Sequence, residues 1–497
     1  MALSVRASRA DVGDERLSLP LTQRRASEAA PSRPRDDLAK PLSGSQSFVG
    51  PSCSQRVRSH DHGDGGAVAG QRHLFACPHT VEDLGKGGSG LGDGHRRTHA
   101  VIVQQRTDLY NGLARRSTRV VALGSVAVLT PFDDYPIHQT PLPVAHPVGG
   151  DPNHYDRYFF NGYTGDLYFA VAMGLYPNRG VIDAAFSVVH DGIQRSVFAS
   201  ARMPKDPGET RVGPLRIEIV EPLRVNRVVV DAPDHDLGAD LTYEARTAAF
   251  QEPRQTRHQG NRVVMDATRL TQWGTWSGAL ETGGQRIALD GAVRGTKDRS
   301  WGIRPVGDQP TMAPAASLPQ IFFLWSPLHF DDECLHYMVF EDADGHRWFE
   351  SGLVAPVIAG DTPTWGDEGT GEVLEGGDHA IRWAPGLRRS EAARLTLRRR
   401  GRQAETIDLE PILTFRMRGI GYLHPVWSHG KWHGEEAVGG EEYKVDDLDS
   451  LDPSSIHVQQ VVRATWGERR GMGVLEQLAI GPHAPSGFTD LFDGAPA

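Results

Sequence analysis

The chain has 497 residues, of which 39% are hydrophobic and 8% aromatic, so it can form more than one domain with an apolar core. Its formal net charge of −10 argues against a general nucleic-acid-binding protein. The three cysteines, Cys53, Cys77 and Cys334, have no metal-type spacing and offer no disulfide framework. This usage is typical of a reducing compartment, and we expect a cytoplasmic protein.

The N-terminal segment differs from the rest of the chain in composition. Residues 1–119 are rich in Arg, Ser, Gly and Pro and hold 18 Lys and Arg against 12 Asp and Glu. Such a segment cannot bury enough apolar surface to offset its chain entropy, so we expect residues 1–125 to be disordered. The alternative is that this segment is not native protein and that the true start lies near Val126 or Val128.

Export and membrane insertion are both disfavoured by the sequence. Arg115 and Arg116, followed by the apolar residues 120–129, are similar to a twin-arginine signal, but the apolar run is short and is broken by Gly124. No apolar run reaches the ~18–20 residues that a membrane-spanning helix needs.

From Thr130 onward, short runs of strand length alternate with turn signals. The apolar run 166–175 is bounded by Gly165 and Pro177 and predicts a buried strand. Asp191-Gly192 and Gly283-Gly284 predict two-residue hairpin turns. Further strands are predicted at 215–220, 224–231, 240–247, 262–266, 275–280, 285–289, 321–325, 334–341, 347–354, 405–413, 441–445, 456–466 and 471–480.

This pattern predicts an all-β protein built from barrels or sandwiches. Because about 370 residues exceed a single barrel, we place two domains at 130–300 and 301–482, divided near the stretch 295–305. Residues 483–497 are expected to fray.

The stretch GTKDRSWGIRP at 295–305 holds the first candidate site. An acid, two guanidinium groups and an indole stand within seven residues, at Asp298, Arg299, Trp301 and Arg304. Such a set suits a partly desolvated site in which neighbours shift the pKa of the carboxyl. The alternative is a structural Asp–Arg pair beside a core tryptophan.

Five runs carry a resemblance to a known group of proteins: YDRYFFNGY (155–163), GLYPNRGVIDAAFSV (174–188), RLTQWGTWSG (269–278), GTKDRSWGIRP (295–305) and YLHPVWSHGKWHGE (422–435). Together they resemble one bacterial family of uncharacterised proteins over residues 130–482. That family is similar to the carotenoid 1,2-hydratase, kievitone hydratase and AttH-like group. The resemblance implies two lipocalin-like β-barrel domains side by side and a lipophilic ligand, with neither metal nor organic cofactor.

The resemblance also implies roles for particular residues. Asp298 matches the proton-donating acid of the hydratases and Trp301 the tryptophan near it, while His329 is a looser match for their histidine. Arg299 and Arg304 depart from that pattern, and we expect their positive charge to lower the pKa of Asp298 and oppose its work as an acid.

Further candidates supply aromatic and polar surface for a pocket. Aromatic faces stabilise cations, so Trp325 and Tyr337 are candidate cation stabilisers. Candidates for lining the pocket, with core packing or loop packing as the alternative for each, are Tyr158, Asn161, Arg179, Tyr422, His424 and Trp427. A zinc site at His424, His429 and His433 is disfavoured, because H-x4-H-x3-H is not a zinc-protease spacing.

Two functions therefore compete. The first is a cofactor-free enzyme that hydrates, dehydrates or isomerises an alkene of a terpenoid, polyene or steroid-like substrate, with Asp298 as acid and His329 as auxiliary base. The second is a lipocalin-like carrier of a lipophilic molecule. A purely structural protein with filled barrels is a third hypothesis. Neither the substrate nor the oligomeric state follows from the sequence.

Overall fold

The structure, a computed structural model, describes residue 132 and residues 137–306, 320–366 and 371–496. Over these ranges the chain is built from β-strands and a few short 3-10 turns, without an α-helix, which confirms the all-β prediction. No helix in this part of the chain is long and apolar enough to span a membrane. The predicted disordered segment 1–125 and the arginine pair at 115–116 lie outside the described residues.

Thirteen strands form the first sheet, in the order β20-β4-β3-β2-β1-β12-β11-β8-β7-β6-β5, with β9 and β10 also paired to β11. Their bounds are β1 His154–Tyr163, β2 Leu167–Tyr176, β3 Val181–His190, β4 Ile193–Arg202, β5 Arg211–Val212, β6 Leu215–Glu221, β7 Val225–Ala232, β8 Leu237–Ala245, β9 Phe250–Gln251, β10 Gln255–Gln259, β11 Arg262–Thr282, β12 Gln285–Ile303 and β20 Glu436–Lys444.

Nine strands form the second sheet, in the order β16-β15-β14-β13-β22-β21-β19-β18-β17. Their bounds are β13 Ile321–His329, β14 Glu333–Glu341, β15 Arg347–Pro356, β16 Glu372–Val373, β17 Gly376–Trp383, β18 Ser390–Arg398, β19 Glu405–Arg416, β21 Val458–Trp466 and β22 Arg469–Ile480.

The first sheet curls into a nearly closed barrel, and the second forms a half-barrel. The two edges of the first sheet meet near Gly213, in the turn after β5. A Cβ atom at Gly213 would lie 3.1 Å from Cβ of Ala199 on β4 and 3.0 Å from a methyl group of Val438 on β20.

The two short hairpins predicted from the sequence are confirmed. Asp191 and Gly192 have φ angles of 52° and 73° and join β3 to β4, and Gly283 and Gly284 have φ angles of 61° and 69° and join β11 to β12. Turns with two positive φ angles match the twist of the flanking strands, which is why Asp-Gly and Gly-Gly predict them.

The stretch 295–305 forms a strand end rather than a loop, because β12 continues to Ile303 against the equally long β11. Gly295 permits a close approach in mid-strand: a Cβ atom there would lie 2.3 Å from both Nε1 of Trp276 and the carbonyl oxygen of Asn161. Those two atoms form a hydrogen bond of 2.8 Å. The strands predicted separately at 262–266 and 275–280 are parts of the single strand β11.

Two segments near the C-terminus differ from the sequence-based expectation. The strand predicted at 441–445 belongs to β20, which pairs with β4 of the first sheet rather than with its neighbours in the chain. The final residues are packed instead of frayed: Phe488 is 2% exposed, and the buried Arg388 donates hydrogen bonds to the carbonyl oxygens of Asp490 and Asp493.

Three apolar layers hold the sheets together. One fills the first barrel, one lies inside the second sheet, and the third lies between them, where Phe159 and Tyr168 meet Phe323, Trp325 and Met338. The central strands are therefore buried on both faces, and all ten residues of β2 are buried. Double burial explains why β2 is a continuous apolar run instead of an alternating one.

Candidate active site

Asp298 lies in the space between the two sheets. On β12 it stands opposite Phe159 of β1 and Thr271 of β11, and it is 8% exposed. Side chains of a strand alternate between its faces, so Asp298 and Trp301 point to opposite sides of β12. Trp301 is 37% exposed and therefore does not line the same space.

Arg269 is the nearest cation to this carboxyl. Its Nε lies 3.4 Å from Oδ2 of Asp298, and its Nη1 lies 4.0 Å from Sδ of Met338 on the second sheet. Burial raises the pKa of Asp298, and Arg269, then Arg157 and Arg304, only partly offset this. The expectation that nearby arginines lower the pKa of Asp298 is thus wrong. The loss of hydration on burial outweighs their charge, and the pKa is raised.

An aromatic wall faces the acid. The ring of Phe159, the cross-strand neighbour of Asp298, packs edge-to-face on Trp325 with 6.2 Å between centroids. Trp325 is 1% exposed, and its Nε1 has no hydrogen-bond partner in the described part of the chain. Met338 is the cross-strand neighbour of Trp325. One side of the inter-sheet space therefore offers π faces and a thioether, which suit an apolar or cationic group.

A second buried carboxyl lies beside the first. Glu252 is 1% exposed and accepts a hydrogen bond of 2.8 Å from the hydroxyl of Thr271, which stands opposite Asp298. Burial raises the pKa of Glu252 to about 7, against the opposing charge of Arg269. His336 Nε2 lies 3.9 Å from Oε1 of Glu252, and burial lowers its pKa to about 3, so this imidazole is neutral.

The other end of the space is cationic. The guanidinium of Arg157 stacks on the ring of Tyr422 at 4.6 Å, and that of Arg304 lies 5.7 Å from the same ring. Burial alone would raise the pKa of Tyr422, but Arg157 and Arg304 bring it below its usual value. Arg157 is 3% exposed, so it does not reach solvent as a snorkelling side chain would.

A chain of hydrogen bonds crosses from one sheet to the other. The amide of Asn161 on β1 donates to Oε1 of Gln459 on β21 at 3.1 Å, and the amide of Gln459 donates to Glu476 on β22 at 2.7 Å. The other carboxylate oxygen of Glu476 accepts from Nε2 of His457 at 2.6 Å. Because buried polar groups need partners, this network fixes the register of the two sheets.

The segment 417–435 between β19 and β20 covers the cationic end, and we call it the covering loop. Its backbone N–H of Gly430 donates to Oδ2 of Asp183 on β3 at 2.6 Å. Burial raises the pKa of Asp183 to about 6. A cavity of about 10 Å³, enough for a single water, is lined by Asp183, Phe198, Ser200, Trp427, His429 and His433.

The structure brings five of the predicted site residues to the inter-sheet space: Asp298, Trp325, Asn161, Arg304 and Tyr422. Trp427 belongs to the covering loop, where it stacks on Phe198 at 5.8 Å between centroids. Its indole thus fixes the loop on β4.

Other predicted residues lie elsewhere. Tyr158 is part of the core of the first barrel, and Tyr337 is part of the core of the second sheet, where its hydroxyl lies 3.1 Å from Nδ1 of His379. Arg179 donates to the carbonyl oxygens of Pro152 and Val306 at the barrel rim. These three side chains therefore contribute to core packing or to the barrel rim and do not line the inter-sheet space.

Two predicted histidines also have structural contacts. Nε2 of His329 lies 3.1 Å from the carbonyl oxygen of Gly295, and Nδ1 lies 3.1 Å from Nη1 of Arg246. Since the carbonyl only accepts and the guanidinium only donates, both ring nitrogens are engaged, which leaves no free lone pair for an auxiliary base. His424 accepts from two backbone N–H groups through Nδ1 and contacts Glu441 through Nε2 at 3.2 Å.

Arg157, Arg269, Glu252 and Glu476 were not among the predicted site residues. Arg157 and Arg269 stand in two of the runs that carry the family resemblance, and alternation places Arg157 on the same face as Phe159 and Asn161. Glu252 and Glu476 carry no comparable signal, because their meeting with Asp298 depends on sheet pairings between distant segments.

Comparisons with known proteins show one family for this chain and several distantly similar structures. Residues 129–489 match the family described as "Family of unknown function (DUF8625)". None of the curated proteins matches. Among solved structures, AttH of Nitrosomonas europaea is 13% identical, with a TM-score of 0.42 over 65% of this chain and 92% of that chain. Kievitone hydratase of Nectria haematococca is 13% identical, with a TM-score of 0.40 over 65% and 88%. CghA with Sch210972 is 12% identical, with a TM-score of 0.38 over 66% and 89%.

Proposed function

This chain belongs to the DUF8625 family of unknown function, and we propose that it is an enzyme that hydrates, dehydrates or isomerises an alkene in a lipophilic substrate. Asp298 is the proton donor. The observation that carries the proposal is a buried carboxyl, with a raised pKa, beside an aromatic wall between two sheets. A neutral acid in a water-poor site is what protonation of an alkene carbon requires.

The proposed reaction uses residues already in place. Asp298 gives its proton to one alkene carbon, forming a C–H bond and leaving a cation on the other carbon. Phe159 and Trp325 lie where their π faces stabilise that cation. In hydration, water bonds to the cation and its surplus proton returns to the Asp298 carboxylate. Transfer of a neighbouring C–H proton to the Asp298 carboxylate instead gives isomerisation and restores the acid, and the reverse of hydration gives dehydration.

Glu252 is the second candidate for proton transfer. Its pKa of about 7 and its link to Thr271, opposite Asp298, suit a group that receives a proton near neutral pH. The Arg269 side chain has electrostatic contact with both carboxyls and lowers the pKa of each, against the effect of burial.

Deuterium incorporation tests the proposal across many candidate substrates at once. The purified protein is incubated in D2O with lipophilic compounds extracted from it, and with a panel of terpenoid and polyene alkenes and alcohols. Mass spectrometry then measures deuterium bound to carbon. We expect the wild-type protein to incorporate deuterium and Asp298→Asn to be slower by about 100-fold or more.

Asp156→Asn is the matched control, since Asp156 stands on β1 with a half-exposed side chain paired to Arg299. This variant should keep the wild-type rate. Full activity of Asp298→Asn would refute the assignment of the proton donor. Binding of the extracted compounds without turnover by any variant would favour the lipocalin-like carrier.

A further inference from the structure

Arg157 is a buried cation in the inter-sheet space, and the contacts described above do not explain its burial. It is 3% exposed, and Nε, Nη1 and Nη2 are all buried without a hydrogen-bond partner among the described residues. A guanidinium carries five N–H donors and a positive charge, so burial without partners is strongly unfavourable. Such a group points to a ligand that supplies the missing acceptors.

The acidic groups near Arg157 are already engaged by other partners. Asp183 accepts from the backbone N–H of Gly430 at 2.6 Å and from the hydroxyl of Tyr176 at 3.3 Å. Asp298 lies against Arg269, whose Nε is 3.4 Å from Oδ2 of the carboxyl. The Arg157 guanidinium contacts the ring of Tyr422, which supplies a π face but no oxygen in the guanidinium plane.

The two cross-strand neighbours of Arg157 are small residues, and the hydroxyl of Tyr176 lies over one of them, Gly174. Arg157 pairs with Gly174 on β2 and with Ser300 on β12. Arg304, over the ring of Tyr155 at 4.9 Å, adds a second guanidinium at the same end of the space. The apolar wall of Phe159 and Trp325 begins two residues along β1 from Arg157.

We propose that the site receives a lipophilic carboxylic acid, with its carboxylate on Arg157 beneath the covering loop and its apolar body along Phe159 and Trp325. A carboxylate matches the planar fork of a guanidinium with two parallel hydrogen bonds. The inference rests on the proposed use of the inter-sheet space as the substrate site, and it adds the chemical class of the substrate.

Matched pairs of probes test this directly on the full-length protein. All-trans-retinoic acid and retinol share one apolar body, as do dodecanoic acid and dodecanol, and each pair differs in the carboxylate. Binding is measured by quenching of tryptophan fluorescence for the retinoids and by calorimetry for the dodecyl pair. We expect at least one acid to bind about tenfold or more tightly than its alcohol.

Variants then assign the preference to one side chain. Arg157→Gln should reduce the acid-to-alcohol ratio to below about threefold while the alcohol binds as before, and Arg157→Lys should keep part of the preference. Arg299→Gln is the control, because Arg299 lies on the opposite face of the sheet over the ring of Tyr158. It should keep the wild-type ratio. Alcohol binding reports whether each variant is folded.

The inference is overturned if wild-type protein binds the acids no better than the alcohols, if it binds neither acid, or if Arg157→Gln keeps the full preference. Its failure is distinct from that of the proposed chemistry. An acid preference that depends on Arg157, together with full activity of Asp298→Asn, would leave the substrate class standing and remove the proton donor.

Discussion

Nε of Arg269 lies 3.4 Å from Oδ2 of Asp298, and both side chains are shielded from water between the two sheets. Arg269 therefore moderates an acid whose pKa burial has raised. The same guanidinium lowers the pKa of Glu252, so one cation influences the pKa values of two carboxyls in the candidate site.

Replacing Arg269 should make Asp298 a weaker acid. Arg269→Gln removes the largest influence that lowers the pKa of Asp298, and we expect that pKa to rise further. The measurement is the protonated carboxyl band in infrared spectra across pH, with Asp298→Asn subtracted in each background. Arg299→Gln should leave the band unchanged. A titration that moves to lower pH in Arg269→Gln would contradict the electrostatic account.

Glu252 should make stability depend on pH. Its pKa is raised from 4.5 to about 7 on folding, so the folded chain binds this proton more tightly than the unfolded chain does. The free energy of unfolding then falls as pH rises through this window, by up to about 3 kcal/mol from this group. Urea unfolding at several pH values should show that Glu252→Gln loses this decline.

The effect of Glu252 is read from the difference in unfolding free energy between wild type and Glu252→Gln at each pH. Buried histidines with lowered pKa values also change stability with pH, in the opposite sense, and this difference cancels their contribution. Glu244, exposed on β8, provides the control, and Glu244→Gln should follow the wild-type pH dependence. Parallel curves for wild type and Glu252→Gln between pH 4.5 and 7.5 would disprove the raised pKa.

Trp325 should contribute to the stability of the fold. Trp325→Leu removes most of a side chain that is 1% exposed between the sheets, and we expect a loss of about 2–4 kcal/mol in unfolding free energy. Trp365→Leu is the control: Trp365 is 65% exposed, and its loss should cost less than about 0.5 kcal/mol. Urea unfolding measures both. Equal losses in the two variants would refute the packing described for Trp325.

Gly295 should tolerate no side chain. In Gly295→Ala the new Cβ atom would lie 2.3 Å from Nε1 of Trp276 and from the carbonyl oxygen of Asn161, and their hydrogen bond would have to break. We expect a loss of about 2–3 kcal/mol in unfolding free energy. Gly165→Ala, with no atom within 4 Å of the added Cβ, should be near neutral in the same assay. A neutral Gly295→Ala would mean that the strands separate easily there.

Turn chemistry and strand-length runs were enough to predict an all-β fold. The turns at Asp191-Gly192 and Gly283-Gly284 have positive φ angles, a local property that these residue pairs indicate. Pairing between distant segments leaves no local signal, which is why the sequence did not indicate that β20 joins β4. The fray predicted after residue 482 was wrong for the same reason, since buried contacts with Arg388 hold those residues.

The candidate site was predictable only in part. Asp298 could be selected because an acid, two guanidinium groups and an indole stand within seven residues, and Trp325 because aromatic faces stabilise cations. Tyr158 and Tyr337 could not be rejected, because a strand buried on both faces shows no polar alternation to indicate where a side chain points. Arg157 was not selected, because its burial depends on the second sheet packed against β1, which no local pattern indicates.

The seam between β20 and β4 runs through nine residue pairs, from Glu436 opposite Ala201 to Lys444 opposite Ile193. Through β20, the second half of the chain is therefore joined to the first by a continuous ladder of backbone hydrogen bonds. Separating the two halves to admit a ligand would require breaking this ladder of hydrogen bonds. The covering loop directly precedes β20, so this ladder and the hydrogen bond from Gly430 to Asp183 hold both ends of the loop against the first sheet.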